Sequence, residues 1–138
     1  RVWTQDISVQ VLTDIHVGTA VQHLGMEFLE VGDDFITARV PVDARTKQPY
    51  GLLHGGVSVV LAETLGSCGA AFAAPAGHRA VGLDINANHL RAVTSGYVLA
   101  KASPLHIGRR TQVWNIVIQN PQDKDVCVAR LTVAVLAD

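Results

Sequence analysis

The strongest constraint on this chain is the stretch from Gly55 to Ala76, which carries only one charge, Glu63. It is rich in Ala, Leu and other small residues and is too long for an ordinary strand. Gly55 to Ala74 therefore reads as one central helix that has to be buried. Its length would also cross a bilayer. Against a membrane stand the carboxylate near its middle, the glycines Gly55, Gly56, Gly66 and Gly69, and Pro75, which closes the run without basic flanks. A buried helix needs a cover, and the rest of the 138 residues must supply it.

Upstream, Ile7, Val11, Leu12 and Ile15 recur at helical spacing behind Ser8, a candidate cap, and predict a short helix over 7–15. Leu24 to Val31 and Phe35 to Val42 read as strands joined by a turn at Gly32-Asp33-Asp34. Asp43 to Leu53, with Pro49, reads as a loop that crosses the surface or reaches a ligand. Beyond the Pro75-Ala76-Gly77 break come four strand-like segments: Ala80 to Leu90, Gly96 to Ser103, Thr111 to Gln119 and Val126 to Leu136. The last two alternate as strands packed on one face do, with a turn at Asn120-Pro121-Gln122-Asp123. There is no βαβ alternation and no internal repeat. The order predicts one α+β domain over 1–138, a curved antiparallel sheet of about six strands around one long central helix, which is the hotdog arrangement.

Composition narrows the functional classes. Eleven Lys and Arg balance twelve Asp and Glu, a net charge of −1, which is not the footprint of a protein that grips nucleic acid through phosphates. With 49% hydrophobic and 17% charged residues the chain can fill a core, so it is not disordered. Cys68 and Cys127 are too few for a disulfide scaffold, and no CxxC, HExxH or other zinc-ligand spacing occurs. The opening residues, Arg1-Val2-Trp3-Thr4-Gln5-Asp6, lack the apolar core of a signal peptide. The expectation is a reduced, cytoplasmic protein with no metal, no cofactor, no nucleic-acid partner and no membrane.

Glu63 is the leading candidate for chemistry. Either it marks one wet edge of the helix, paired with an arginine, or it is a carboxylate in a poorly hydrated cleft that serves as nucleophile or general base. Ser67, at i+4, is expected to share its face, and Thr64 is not. The second candidate is His54-Gly55-Gly56 at the helix start, where free N–H groups and the positive dipole end can polarise a carbonyl. His54 reads as a cap or a loop residue rather than an acid. Eight residues separate Gly55 from Glu63, a rise of about 12 Å, so one chain cannot aim both at one small carbonyl. If both act in one reaction, two chains must meet, as in a symmetric dimer with antiparallel central helices. Gln48 lies just before the helix as a donor or a solvated amide. Asn86, Asn88 and Arg91 are read along one strand face with His89 opposite, and His106-Ile107-Gly108-Arg109-Arg110 makes a basic turn. Arg91, Arg109 and Arg110 are either solvated or gathered on phosphate groups.

The blocks PVDARTKQP, GLLHGGVSVVLAETLGS, VGLDINANHLR and PLHIGRRTQVW resemble those of the hotdog-fold acyl-CoA thioesterases of the 4-hydroxybenzoyl-CoA and phenylacetate type. Within that type the likeness is to the dihydroxynaphthoyl-CoA thioesterases of menaquinone synthesis and the proofreading thioesterases of enterobactin synthesis. It runs from Val2-Trp3 to Val135-Leu136. The resemblance implies hydrolysis of an aryl or related acyl thioester. Glu63 would be nucleophile or general base, the Gly55 amide would polarise the carbonyl, Gln48 and His54 would assist, and Ser67 would help beside Glu63. His89, Arg91, Gly108, Arg109 and Arg110 match blocks that hold the pantetheine arm and nucleotide. It also implies homodimers with shared sites, paired into homotetramers, acting on acyl-CoA or on a carrier-protein thioester. Cys68 and Tyr50 depart from the aliphatic residue and the phenylalanine of the relatives, which leaves the acyl group open. The competing expectation is an acyl-CoA-binding hotdog protein without catalysis, against which Glu63 argues.

Overall fold

In the computed structural model, which describes residues 1–138, the chain forms α1 (Val9–Ile15), α2 (Ala20–His23), β1 (Glu27–Val31), β2 (Ile36–Pro41), α3 (Gly55–Ala73), β3 (His78–His89), β4 (Tyr97–Ile107), β5 (Thr111–Gln119) and β6 (Asp125–Ala137). The six strands form one antiparallel sheet in the order β1-β2-β4-β5-β6-β3. Helix α3 leaves the β2 side, lies on β2 to β6, and delivers the chain to the far edge, where β3 pairs only with β6. The expected α+β hotdog architecture is the observed one.

Period-two alternation sets the core. From β5, Gln112, Trp114, Ile116 and Ile118 point inward, and from β6, Cys127, Ala129, Leu131 and Val133 do. They meet Leu61, Ala62, Leu65 and Ala70 of α3. The helix rides close to the sheet because two contact positions have no side chain. A methyl at Gly69 would come within 2.6 Å of the Trp114 ring, and one at Gly66 within 2.7 Å of Leu131. Trp114 also stacks on Trp3, with ring centroids 6.1 Å apart. Its indole N–H donates to Gln112 Oε1 at 2.8 Å, and the Gln112 amide donates to the Ala70 carbonyl at 3.3 Å. The buried glutamine is thereby satisfied, as burial of a polar amide requires.

Several boundaries differ from expectation for identifiable reasons. Ser8 caps α1 as read, its hydroxyl accepting from the Val11 N–H at 3.1 Å. The one-turn helix α2 has too few residues to show a period. Strand β4 continues past Ser103 through Pro104 to Ile107. Its pairing with β2 ends at Ala102, so beyond that point only β5 is alongside and Pro104 stands on a stretch with one free edge, followed by a bulge between Pro104 and His106. The sheet also covers α3 less completely than its composition implies. Val60, Glu63, Thr64 and Ser67 lie along a stripe that the sheet leaves half-buried or exposed. Beside that stripe runs β3, a 12-residue edge strand with Val81 and Leu83 in solvent.

Candidate active site

The loop before α3 and the first turn of the helix build one polar station. The Gln48 side-chain oxygen accepts from the Tyr50 N–H at 2.6 Å and the Leu52 N–H at 3.3 Å. With its oxygen occupied, the amide presents its NH2 group as a donor. His54 is the N-cap of α3, its Nδ1 accepting from the Gly56 N–H at 2.8 Å. The Val57 and Ser58 N–H groups both turn to the His54 carbonyl. Of the first-turn N–H groups, only that of Gly55 lacks a partner within the chain. His89 shares the inward parity of Ile85 and Ala87, and its ring packs against the helix start: a methyl at Gly55 would lie 3.0 Å from His89 Nε2. Gln48, Gly55, Ser58, His89 and Arg91 line one cleft of about 430 Å³. It offers two neutral donors and the positive end of a 19-residue helix, the environment that stabilises charge developing on a carbonyl oxygen.

Two turns along, Glu63 forms a second station, a cleft of about 370 Å³ that it shares with Val60, Thr64, Ser67, Cys68 and the α1–α2 segment at His16, Thr19, Ala20 and Val21. Glu63 is exposed, and no arginine pairs with it. Its Oε2 passes the β3 edge, 3.4 Å from where a Gly82 methyl would stand. Ser67 lies on its face as expected. Thr64 does too, contrary to expectation, because neighbouring helix positions differ by only about 100° and a cleft is wider than a single row of side chains. The Thr64 hydroxyl donates to the Val60 carbonyl at 2.6 Å. Burial pushes the Cys68 thiol up to about 12, so it is a protonated wall of the cleft and no nucleophile.

The remaining candidates are dispersed. Tyr50 projects from the loop tip with 88% exposure. Arg91 donates to the Asp125 carbonyl at 2.8 Å, near the Gln119 end of β5. Arg109 and Arg110 are exposed at the opposite end of β5, roughly 25 Å away at 3.3 Å per residue. One chain therefore does not gather the three arginines. Gly108 is needed where it stands: a methyl there would lie 2.9 Å from the Thr111 carbonyl oxygen and 2.4 Å from the His106 ring. No three His, Cys, Asp or Glu side chains come together as metal ligands would. The cleft residue that sequence reasoning missed is His16, whose only signal was its place at the end of an amphipathic turn.

Comparison with known proteins gives the family. Residues 50–127 match the model of the thioesterase superfamily. The chain is 46% identical to a proofreading thioesterase EntH of Cronobacter turicensis over 98% of both chains. It is 44% identical to the 1,4-dihydroxy-2-naphthoyl-CoA hydrolase of Escherichia coli strain K12 over 98% of this chain and 99% of the other. A crystal structure of a Haemophilus influenzae thioesterase superposes with a TM-score of 0.96 at 48% identity, covering 99% of this chain and 96% of that one. A Staphylococcus aureus thioesterase, 35% identical, with a TM-score of 0.80 over 84% of this chain and 97% of its own, has been crystallised with a glutamine replaced by alanine, and separately with a glutamate replaced.

Proposed function

This chain belongs to the thioesterase superfamily and is a thioester hydrolase, and we propose that it cleaves aryl-CoA thioesters at a site shared between two chains. The observation that carries this reading is the pair of unoccupied donors, Gln48 NH2 and Gly55 N–H, at one cleft, with Glu63 about 12 Å further along the same helix. A thioester carbonyl held by the two donors meets Glu63 from the partner chain. The two positions replaced in the S. aureus protein stand fifteen residues apart, as Gln48 and Glu63 do, which supports pairing them in one reaction.

In the reaction, negative charge grows on the carbonyl oxygen and is met by the Gln48 and Gly55 donors. Glu63 either attacks the carbonyl carbon, giving a mixed anhydride that water opens, or takes a proton from an attacking water. In both routes the C–S bond breaks, the acyl group leaves as a carboxylate and CoA leaves as its thiol. His54, as the cap, positions Gly55. Ser67 orients the attacking group or water beside Glu63. His89 walls the carbonyl, and Tyr50 and Cys68 border the ligand. Arg91, Arg109 and Arg110 serve one nucleotide only if more than one chain contributes them.

The long exposed β3 edge, with Val81 and Leu83 in solvent, is a template for pairing with a second copy and would bring dry surface to Glu63. Dimers paired into tetramers, acting in the cytoplasm, complete the reading. The name of one relative, a 1,4-dihydroxy-2-naphthoyl-CoA hydrolase, points to CoA as the acyl carrier, and a carrier-protein thioester is the alternative that the sequence resemblance raises. Benzoyl-CoA and 1,4-dihydroxy-2-naphthoyl-CoA, followed by release of free thiol, test the hydrolytic reading: turnover by the wild type and a fall of about 10²- to 10⁴-fold or more in Glu63→Gln is expected. A chain that binds these thioesters and releases no thiol would be the non-catalytic binder.

A further inference from the structure

His16 is the one imidazole in the Glu63 cleft, and the mechanism leaves it unused. Its Nδ1 lies 2.7 Å from the Leu12 carbonyl oxygen. A carbonyl can only accept, so Nδ1 carries the proton and, in the neutral ring, Nε2 is left as an acceptor. The ring is fixed on its other side by Phe28, with centroids 5.1 Å apart. Nε2 is 3.9 Å from Cys68 Sγ, a wall of the same cleft, where the thiol offers only a weak donor. Behind the ring a smaller cavity of about 80 Å³, lined by Thr13, Met26 and Phe28 among others, adjoins the cleft through His16 and Val21. A half-buried acceptor is therefore held in place at the cleft wall, with no strong donor hydrogen-bonded to it.

We propose that His16 is a specificity-determining residue that accepts a hydrogen bond from a hydroxyl on the acyl group, so that hydroxylated aryl thioesters are selected over bare ones. This rests on the thioesterase reading and adds the recognition of the acyl group. Discrimination by a hydrogen bond is strong when the unsubstituted analogue strands a buried polar atom. In a partly hydrated cleft the effect is about tenfold or more.

The test measures kcat/KM for 2-, 3- and 4-hydroxybenzoyl-CoA against benzoyl-CoA. The wild type is expected to favour at least one isomer by about tenfold or more, and His16→Phe, which keeps a ring on Phe28, to bring that ratio close to one. His16→Gln, which restores an acceptor, should recover part of the preference. Binding of the non-hydrolysable phenacyl-CoA and its hydroxyphenacyl counterparts reads the same ratio without chemistry. If no thioester is hydrolysed but the hydroxyphenacyl preference still depends on His16, the thioesterase reading fails and the recognition stands. A wild type indifferent to the hydroxyl, or a preference that survives in folded His16→Phe, overturns the proposal.

Discussion

At the start of α3 the chain fixes its own donors. Two loop N–H groups hold the Gln48 side-chain oxygen, His54 takes the Gly56 N–H, and Gly55 is left with its N–H free beside His89. Two turns later Glu63 has no hydrogen bond and no ion pair, stands exposed, and borders an edge strand that pairs on one side only. The donor station is preorganised within one chain, so it loses no energy to reorientation when charge develops. The carboxylate station stands open to water in a single chain, and in the proposed mechanism a partner chain covers it. The contrast supports the proposed division of the site between two chains, in which the geometry of the donor half is set by one chain and the carboxylate half is covered by another.

The sharpest way to break this contrast is Glu63→Gln. Turnover should fall by about 10²- to 10⁴-fold or more, measured by thiol release, while the unfolding midpoint stays unchanged, because an exposed and unpaired side chain holds nothing together. A loss of stability alongside activity would return Glu63 to a structural role. Gln48→Ala removes one donor to the carbonyl and is expected to lower kcat by about 10²- to 10³-fold. It should also loosen the 48–52 turn, visible as faster amide exchange at Tyr50 and Leu52.

His54→Ala reverses the Glu63 pattern. Loss of the N-cap should cost about 1 kcal/mol of stability, read by denaturant unfolding, with a smaller fall in turnover than Gln48→Ala gives. The smallest effect concerns the outlying charges. If Arg109 and Arg110 meet nucleotide phosphates at the surface, raising salt should increase KM for CoA substrates by a few-fold and leave pantetheine thioesters unchanged. Equal salt dependence for both would separate these arginines from the ligand.

The helix and its lone carboxylate were legible because length and composition leave a 19-residue apolar stretch no other place than against a sheet. β5 was legible to the residue because its alternation is uninterrupted, whereas Pro104 hid the end of β4, since only the sheet order shows that no strand pairs on the β2 side there. Spacing along α3 separated Gly55 from Glu63. It could not place Arg91 far from Arg109 and Arg110, which depends on strand order and direction. His16 was invisible because its meaning comes from the Leu12 carbonyl behind it and Cys68 in front, 52 positions away.

The central claim, that each site draws its donors from one chain and its carboxylate from another, is tested most directly by complementation. Gln48→Ala and Glu63→Gln chains carrying different tags are co-refolded, and mixed dimers are isolated by both tags. A mixed dimer contains one site with both lesions and one with intact Gln48, Gly55 and Glu63. Thiol release per mixed dimer should therefore return to about half that of the wild-type dimer, far above either parent. Mixed dimers with no more activity than the average of the two impaired parents would contradict the shared site.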